Sequence, residues 1–187
     1  MKRLSTIILM IVLLCSCNNA RQSADKVSEA ERSTLEDSYR HADSLYRLCG
    51  RIDTAAFLSF VRQTTDYVAA HPGDTISPEM LYRAGVASMI LAKSVKSDAF
   101  RAGNAKKALA IFNDFQQLYP ENPSARYCYW QRAIVYEDIL GDWRSAESEY
   151  RDFINHYPDD SLTPGFVQYI TLLGKDPEEL EKQLNIN

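Results

Sequence analysis

Twelve consecutive residues carry the densest chemistry in this chain: Arg126-Tyr127-Cys128-Tyr129-Trp130-Gln131-Arg132-Ala133-Ile134-Val135-Tyr136-Glu137. Tyr, Trp and Arg dominate binding hot spots, because each brings a large apolar surface together with a polar or charged tip. Spread over nearly every face of a helix, they exceed what one core stripe requires. The chemistry expected of them is noncovalent. Tyr127, Trp130, Ile134 and Glu137 are expected to line a groove, with Tyr82, Arg83 and Arg126 nearby. The plainer alternative is that these aromatics fill seams between helices, where Tyr and Trp are also at home.

Other reactive-looking groups lead to weaker expectations. Lys93, Lys96, Arg101, Lys106 and Lys107 gather around what reads as the longest turn, with Asp98 the only acid among them. They form either a basic patch for an acidic partner or lipid headgroups, or ordinary solvated charge. His41, His71 and His156 lie far apart with no H-x-x-x-H or C-x-x-C company, so no metal site is expected. His71 and His156 fall just before prolines, where a positive ring complements a helix C-terminus. Asp159-Asp160 reads as a turn rather than a catalytic pair. The seven glycines form no G-x-G, and no G-x-S-x-G or G-K-[ST] occurs. Phosphate-cradling loops and serine elbows are therefore not expected, nor is a cofactor. A net charge of −4 gives nucleic acid no global attraction.

At the N-terminus, Met1-Lys2-Arg3 precedes the apolar run Ile7 to Leu14 and then Cys15-Ser16-Cys17. A basic start, a run too short to span a bilayer and a small residue before the cut describe a secretory signal. Leu14-Cys15-Ser16-Cys17 resembles the bacterial lipobox, which implies a signal peptide over residues 1–16 and a lipid on Cys17. A cut before Cys15 would place Leu14 where a small residue belongs. A secreted protein with a leftover thiol is the plainer alternative. Residues 17–32 then read as the lipidated Cys and a tether, without a sustained apolar stripe. Of the remaining thiols, Cys49 and Cys128 are expected as two separate buried side chains rather than a disulfide.

Positioning these groups falls to helices, and the prolines punctuate them. Ser77-Pro78, Asn122-Pro123, Thr163-Pro164 and Asp176-Pro177 each read as a capping side chain before a proline in the first helical turn. Pro72, Pro120 and Pro158 each end an amphipathic stretch, since the residue before proline is pushed out of the helical region. Ser33-x-x-Glu36 and Asp176-x-x-Glu179 read as capping boxes, and Asp142 after Gly141 as another start. Helices are expected over 33–49, 54–70, 78–96, 104–119, 124–140, 143–157, 163–173 and 177–185, with 96–103 either a helix extension or a longer turn. Strand-like alternation is not evident.

Two of these helices are copies. Ala108, Phe112, Phe115, Tyr119 and Pro120 recur as Ala146, Tyr150, Phe153, Tyr157 and Pro158, 38 residues later. A weaker copy ends at Pro72, with Phe60 and Thr64 in place of the Ala and the first aromatic. The recurrence has a direct physical reason: a helix pair hides its apolar face only against the next pair. The A-x-x-x-[FY] pattern followed by Pro resembles the tetratricopeptide repeat, with Tyr129-x-x-Arg132-Ala133-x-x-Tyr136 standing for that family's W-x-x-L-G-x-x-Y and Gly141-Asp142 for its turn. Arg132 departs from the family's Leu and Ala133 from its Gly. The turn is one residue longer, and the spacing exceeds the usual length of about 34 residues.

That resemblance implies an all-α right-handed superhelix of about three helical hairpins over residues 33–187, with the last two short helices as a cap. With the lipobox, it is similar to the periplasmic tetratricopeptide lipoproteins of the outer-membrane β-barrel assembly type, though shorter. The implied role is a scaffold of the bacterial cell envelope with no chemistry of its own. It would be lipid-anchored on the periplasmic face of the outer membrane and hold a segment of a partner protein against the first helices of the pairs. A module capturing a carbohydrate or cell-wall fragment on the aromatic face is the alternative. No nucleophile, base and orienting group can be assembled for an enzyme.

Overall fold

A computed structural model of the chain describes residues 29–44, 46–48 and 50–176. The lipobox Cys17, the tether up to residue 28, Cys49 and the helix expected over 177–185 lie outside the described residues. All regular structure within them is helical, with no strand. Helix α1 runs from residue 29 through 44 and over 46–48, followed by α2 (Thr54–Ala70), α3 (Ser77–Ser94), α4 (Asp98–Leu118) and α5 (Ala125–Ile134). A π-helical turn (Val135–Leu140) continues α5, and α6 (Trp143–His156) and α7 (Thr163–Ile170) complete the order.

Three hairpins result: α1 with α2, α3 with α4, and α5 with α6. The second helix of each hairpin presents the repeated stripe, and burial follows the repeat. Ala108, Phe112 and Phe115 on α4 are buried, as are Ala146, Tyr150 and Phe153 on α6. On α2 the degenerate copy is buried as well, through Phe60, Thr64, Tyr67 and Val68. Helix α2 packs on α3, α4 on α5, and α6 on α7, so each second helix meets the helix that follows it as well as its own hairpin partner. Tyr82 of α3 meets Phe112 and Phe115 edge-on, each at 5.7 Å between ring centres.

The connectors between hairpins repeat as faithfully as the helices. His71, Tyr119 and Tyr157 end α2, α4 and α6 with nearly one backbone conformation, φ of −132°, −132° and −131°. Each N–H is bonded at 2.8 Å to the carbonyl four residues back. After the following proline, Asp74, Asn122 and Asp160 each accept a hydrogen bond through Oδ1 from the N–H two residues on, at 3.0, 2.9 and 2.9 Å. This local bond is an Asx turn. Asp74 and Asp160 use their other oxygen to bind the first helix of their own hairpin, through Arg32 and Arg126, both at 2.6 Å. Asn122, in the middle connector, is neutral. Burial works against the charge on Asp74, but hydrogen bonds from Arg32, the Ile76 N–H and Tyr67 outweigh it and hold the carboxyl down at about 2.

Several expectations need correction. Residues 29–32, assigned to the tether, are helical, so Ser33-x-x-Glu36 lies inside α1 and does not start it. Ser77 and Thr163 do not cap their helices. Their hydroxyls donate backward to the carbonyls of His71 and Tyr157, at 2.7 and 2.6 Å, locking the connector instead. Asn122 likewise sits in the connector, two residues from the α5 N-cap at Ser124. The stretch 96–103 resolves as helix extension: Ser97 caps α4, and only a short turn separates α3 from α4. Asp142 does cap α6, accepting from the Ser145 N–H at 3.1 Å. Among the thiols, Cys128 is buried and free, and burial pushes it up to about 12.

The extra residue in the third hairpin, relative to the repeat pattern, is taken up by the π-helical turn. A π turn adds one residue to a helical path. Gly141 (φ 67°) then closes α5 in the left-handed conformation, and its N–H bonds to the Tyr136 carbonyl.

Gly85 of α3 faces α4 closely, so that a Cβ there would stand 2.6 Å from the Phe112 ring. Phe112 is fully buried and has little room to give. Gly85→Ala should therefore destabilise the fold by about 1–3 kcal/mol, and the same change should cost less in a Phe112→Leu background. Urea unfolding of the four variants followed by circular dichroism checks this; equal costs in both backgrounds would contradict the close approach.

Candidate functional site

The first helices of the hairpins, α1, α3 and α5 with its π turn, are joined side by side by polar contacts along their exposed edges. The Arg83 guanidinium lies 4.2 Å from the Tyr39 ring centre, bridging α3 to α1, and Arg83 also pairs with Glu79 one turn back. Gln131 donates to the Tyr82 hydroxyl at 3.0 Å, and Lys93 pairs with Asp138 at 2.8 Å, bridging α3 to α5 and the π turn. Between these bridges the face is open. One cavity of about 280 Å³ lies among Tyr39, Asp43, Tyr82, Arg83, Val86 and Ile90. Another, of about 420 Å³, is lined by Pro78, Glu79, Tyr82, Arg83, Asn122 and Ser124.

A third cavity, about 460 Å³, opens between α5 and α7, where the next first helix of the series stands. Trp130, Ile134 and Glu137 line it, at helical spacings of four and three, so these three expected groove residues share one wall. The opposite wall comes from Leu162, Phe166 and Tyr169, and Tyr150 of α6 forms part of its lining. Trp130 remains 36 % exposed although its ring packs 6.0 Å from that of Phe166. Glu137 accepts hydrogen bonds from the hydroxyls of Tyr169 and of Tyr150, the latter at 3.5 Å. Burial, reinforced by the charges of Glu137 and Asp138, raises both phenols, Tyr169 to about 12.

The other expected groove residues are placed elsewhere on the same face. Tyr82 and Arg83 line the two cavities nearer the N-terminus. Arg126 and Tyr127 belong to the end of the hairpin: Arg126 pairs with Asp160, donates to the Tyr127 hydroxyl at 2.7 Å and lies over the Tyr127 ring at 4.7 Å. The expected basic patch is distributed over α3, α4 and the short turn between them. Lys93 is paired with Asp138 and Arg101 with Asp98, while Lys96, Lys106 and Lys107 are exposed. Asp138, Tyr150, Phe166 and Tyr169 were not foreseen as lining residues. Tyr150 was legible only as part of the core stripe, and α7 carried no repeat signal beyond Thr163-Pro164.

Arg132, the departure from the repeat's Leu, is buried and joins three helices. It forms two bonds to Glu149 of α6, at 2.8 and 2.7 Å, and one to Gln116 of α4, at 2.5 Å, while its guanidinium lies 4.9 Å from the Tyr129 ring centre. Gln116 in turn donates to the Ala125 carbonyl at 2.9 Å. This network fixes the third hairpin against the second, and with it the angle at which Trp130 and Ile134 are presented. His156 donates at its own helix end, Nδ1–H to the Asp152 carbonyl at 2.7 Å, whereas His71 reaches across to Glu31 of α1 at 2.9 Å. Among the described residues no group of three or more His, Cys, Asp or Glu could hold a metal ion, and no helix is long and apolar enough to cross a membrane.

The tetratricopeptide-repeat family model matches residues 127–160, which span α5 from Tyr127, the π turn, α6 and the start of the connector. A search of curated proteins finds no match to the chain. The matched segment covers one hairpin of the chain, and the hairpin-by-hairpin packing of the described helices is similar to a tetratricopeptide architecture.

If the α5 face is a surface and not a core, truncating it leaves the fold standing. Tyr127→Ala and Trp130→Ala should each cost less than about 2 kcal/mol and keep the helical circular dichroism, while Phe153→Ala in the α6 stripe should cost about 3–5 kcal/mol. Unfolding by both surface variants would return those side chains to the core.

Proposed function

We propose that this protein is a non-enzymatic scaffold of the bacterial cell envelope that holds a segment of a partner protein against the face formed by α1, α3, α5 and α7. The observation that carries this reading is the cavity shared by Trp130, Ile134 and Glu137, whose wall falls within the matched repeat. Stacked helical repeats leave an extended surface that their own chain does not cover, and hot-spot residue types concentrate on it here. Anchoring is proposed through lipid on Cys17, from the Leu14-Cys15-Ser16-Cys17 pattern, on the periplasmic side of the outer membrane. With two or more acyl chains, such an anchor would be stable.

Capture of a carbohydrate or cell-wall fragment is less well supported. Sugar recognition calls for several polar side chains, whereas most of the residues lining this cavity are apolar or aromatic.

A photo-crosslinking residue placed at Ile134 in the native envelope should yield one discrete polypeptide adduct, and the same residue at exposed Asn113 on α4 should not. In the same cells Cys17→Ala should move the protein out of the membrane fraction. Equal adducts at both positions, or sugar polymers in place of polypeptide, would contradict the scaffold reading; a membrane-bound Cys17→Ala protein would contradict the anchor.

A further inference from the structure

The cavity between α5 and α7 has a feature that a general apolar docking groove does not need. Four aromatic rings, of Trp130, Tyr150, Phe166 and Tyr169, converge on it from three helices, with ring-centre separations of 6.0 Å for Trp130–Phe166, 5.0 Å for Tyr150–Phe166 and 5.3 Å for Tyr150–Tyr169. Two carboxylates, Glu137 and Asp138, share the lining. The π-helical turn supplies both carboxylates, while the rings come from α5, α6 and α7, so charge and aromatic wall have separate structural origins.

Aromatic faces are electron-rich and attract cations, most strongly when the site is partly shielded from water. A carboxylate held by tyrosine hydroxyls adds a full negative charge at a fixed position. Tyr169 and Tyr150 orient Glu137 without cancelling it, because a hydroxyl donates a hydrogen bond but no charge. Asp138 is balanced by Lys93, which leaves Glu137 as the carboxylate in the lining with no ion pair among the described residues. The raised phenols of Tyr150 and Tyr169, after burial, answer to these same carboxylates, which marks the local potential as negative.

We infer that this cavity receives a cationic side chain, Lys or Arg, of the partner polypeptide, with the aromatic rings packing its stem and head and Glu137 taking its charge. The inference rests on the scaffold reading and adds to it the chemistry of one contact.

The test uses the purified full chain and three small probes, Nα-acetyl-arginine amide, Nα-acetyl-lysine amide and the neutral, similarly shaped Nα-acetyl-norleucine amide, followed by the Trp130 indole N–H signal in NMR. That signal is assigned by its loss in Trp130→Phe. The cationic probes should shift it saturably, the norleucine probe should bind at least several-fold more weakly, and Glu137→Gln should weaken the cationic probes by about tenfold. Should Glu137→Gln lose its helical circular dichroism, Asp138→Asn combined with Lys93→Met provides the second variant, expected to leave cation binding in place because Glu137 remains. Equal binding of the norleucine probe, tighter binding of choline than of either amino-acid probe, indifference to Glu137→Gln, or no shift with any probe would overturn the inference. A retained polypeptide adduct at Ile134 in that case would leave the scaffold standing, and loss of both would remove both.

Discussion

Each hairpin in this chain has more apolar surface than its own two helices can hide, and that surplus constrains everything else. Phe112 and Phe115 on α4 and Tyr150 and Phe153 on α6 are buried between their own hairpin partner and the helix that follows. The next hairpin must therefore stack, and it must stack with the same rise and turn, which is why the connectors are copies. The His71, Tyr119 and Tyr157 ends, their prolines and the Asp74, Asn122 and Asp160 turns deliver the chain to each new hairpin in one conformation. Fixing the second helices in this way sets the first helices side by side. Bridges such as Gln131–Tyr82 and Lys93–Asp138 join their outer edges, with the cavities lying along the same face.

Where the repeat deviates from its pattern, the deviation is structural before it is functional. Arg132 in place of an apolar residue brings a buried charge that must be paired, and Glu149, Gln116 and the Tyr129 ring provide for it. A buried pair of this kind contributes little net stability but is costly to break, so it acts mainly to fix geometry. The extra residue of the third hairpin is absorbed as a π turn, and Glu137 and Asp138 of that turn line the same cavity as Trp130.

Most of the fold could be read from the sequence, and for identifiable reasons. Prolines mark backbone constraints that tertiary packing cannot override, so the ends of α2, α4 and α6 fell where Pro72, Pro120 and Pro158 indicated. The starts were less legible. Ser77 and Thr163 have capping side chains, but a backward bond to the previous connector competes for the same hydroxyl, and only the stacked geometry decides between them. The N-terminal extension of α1 was hidden because its first turn is polar and is held by long-range contacts, Arg32 to Asp74 and His71 to Glu31. Of the site, the α5 wall was visible as a dense run of aromatics, and Trp130, Ile134 and Glu137 do share a cavity. Its other wall was not, since nothing local links Phe166 and Tyr169 to residues some thirty positions upstream. Arg126 and Tyr127 looked equivalent to Trp130 by composition but are drawn to the hairpin end by Asp160, a partner that spacing alone does not reveal.

Hydroxyl-radical footprinting of the purified full chain measures most directly whether the face of the first helices is open. Trp130 and Tyr169 should be modified readily, while Phe112 and Phe153 stay protected until the fold is lost. Protection of Trp130 and Tyr169 equal to that of Phe153 would mean that the chain already fills its own face, and no surface would remain there for a partner.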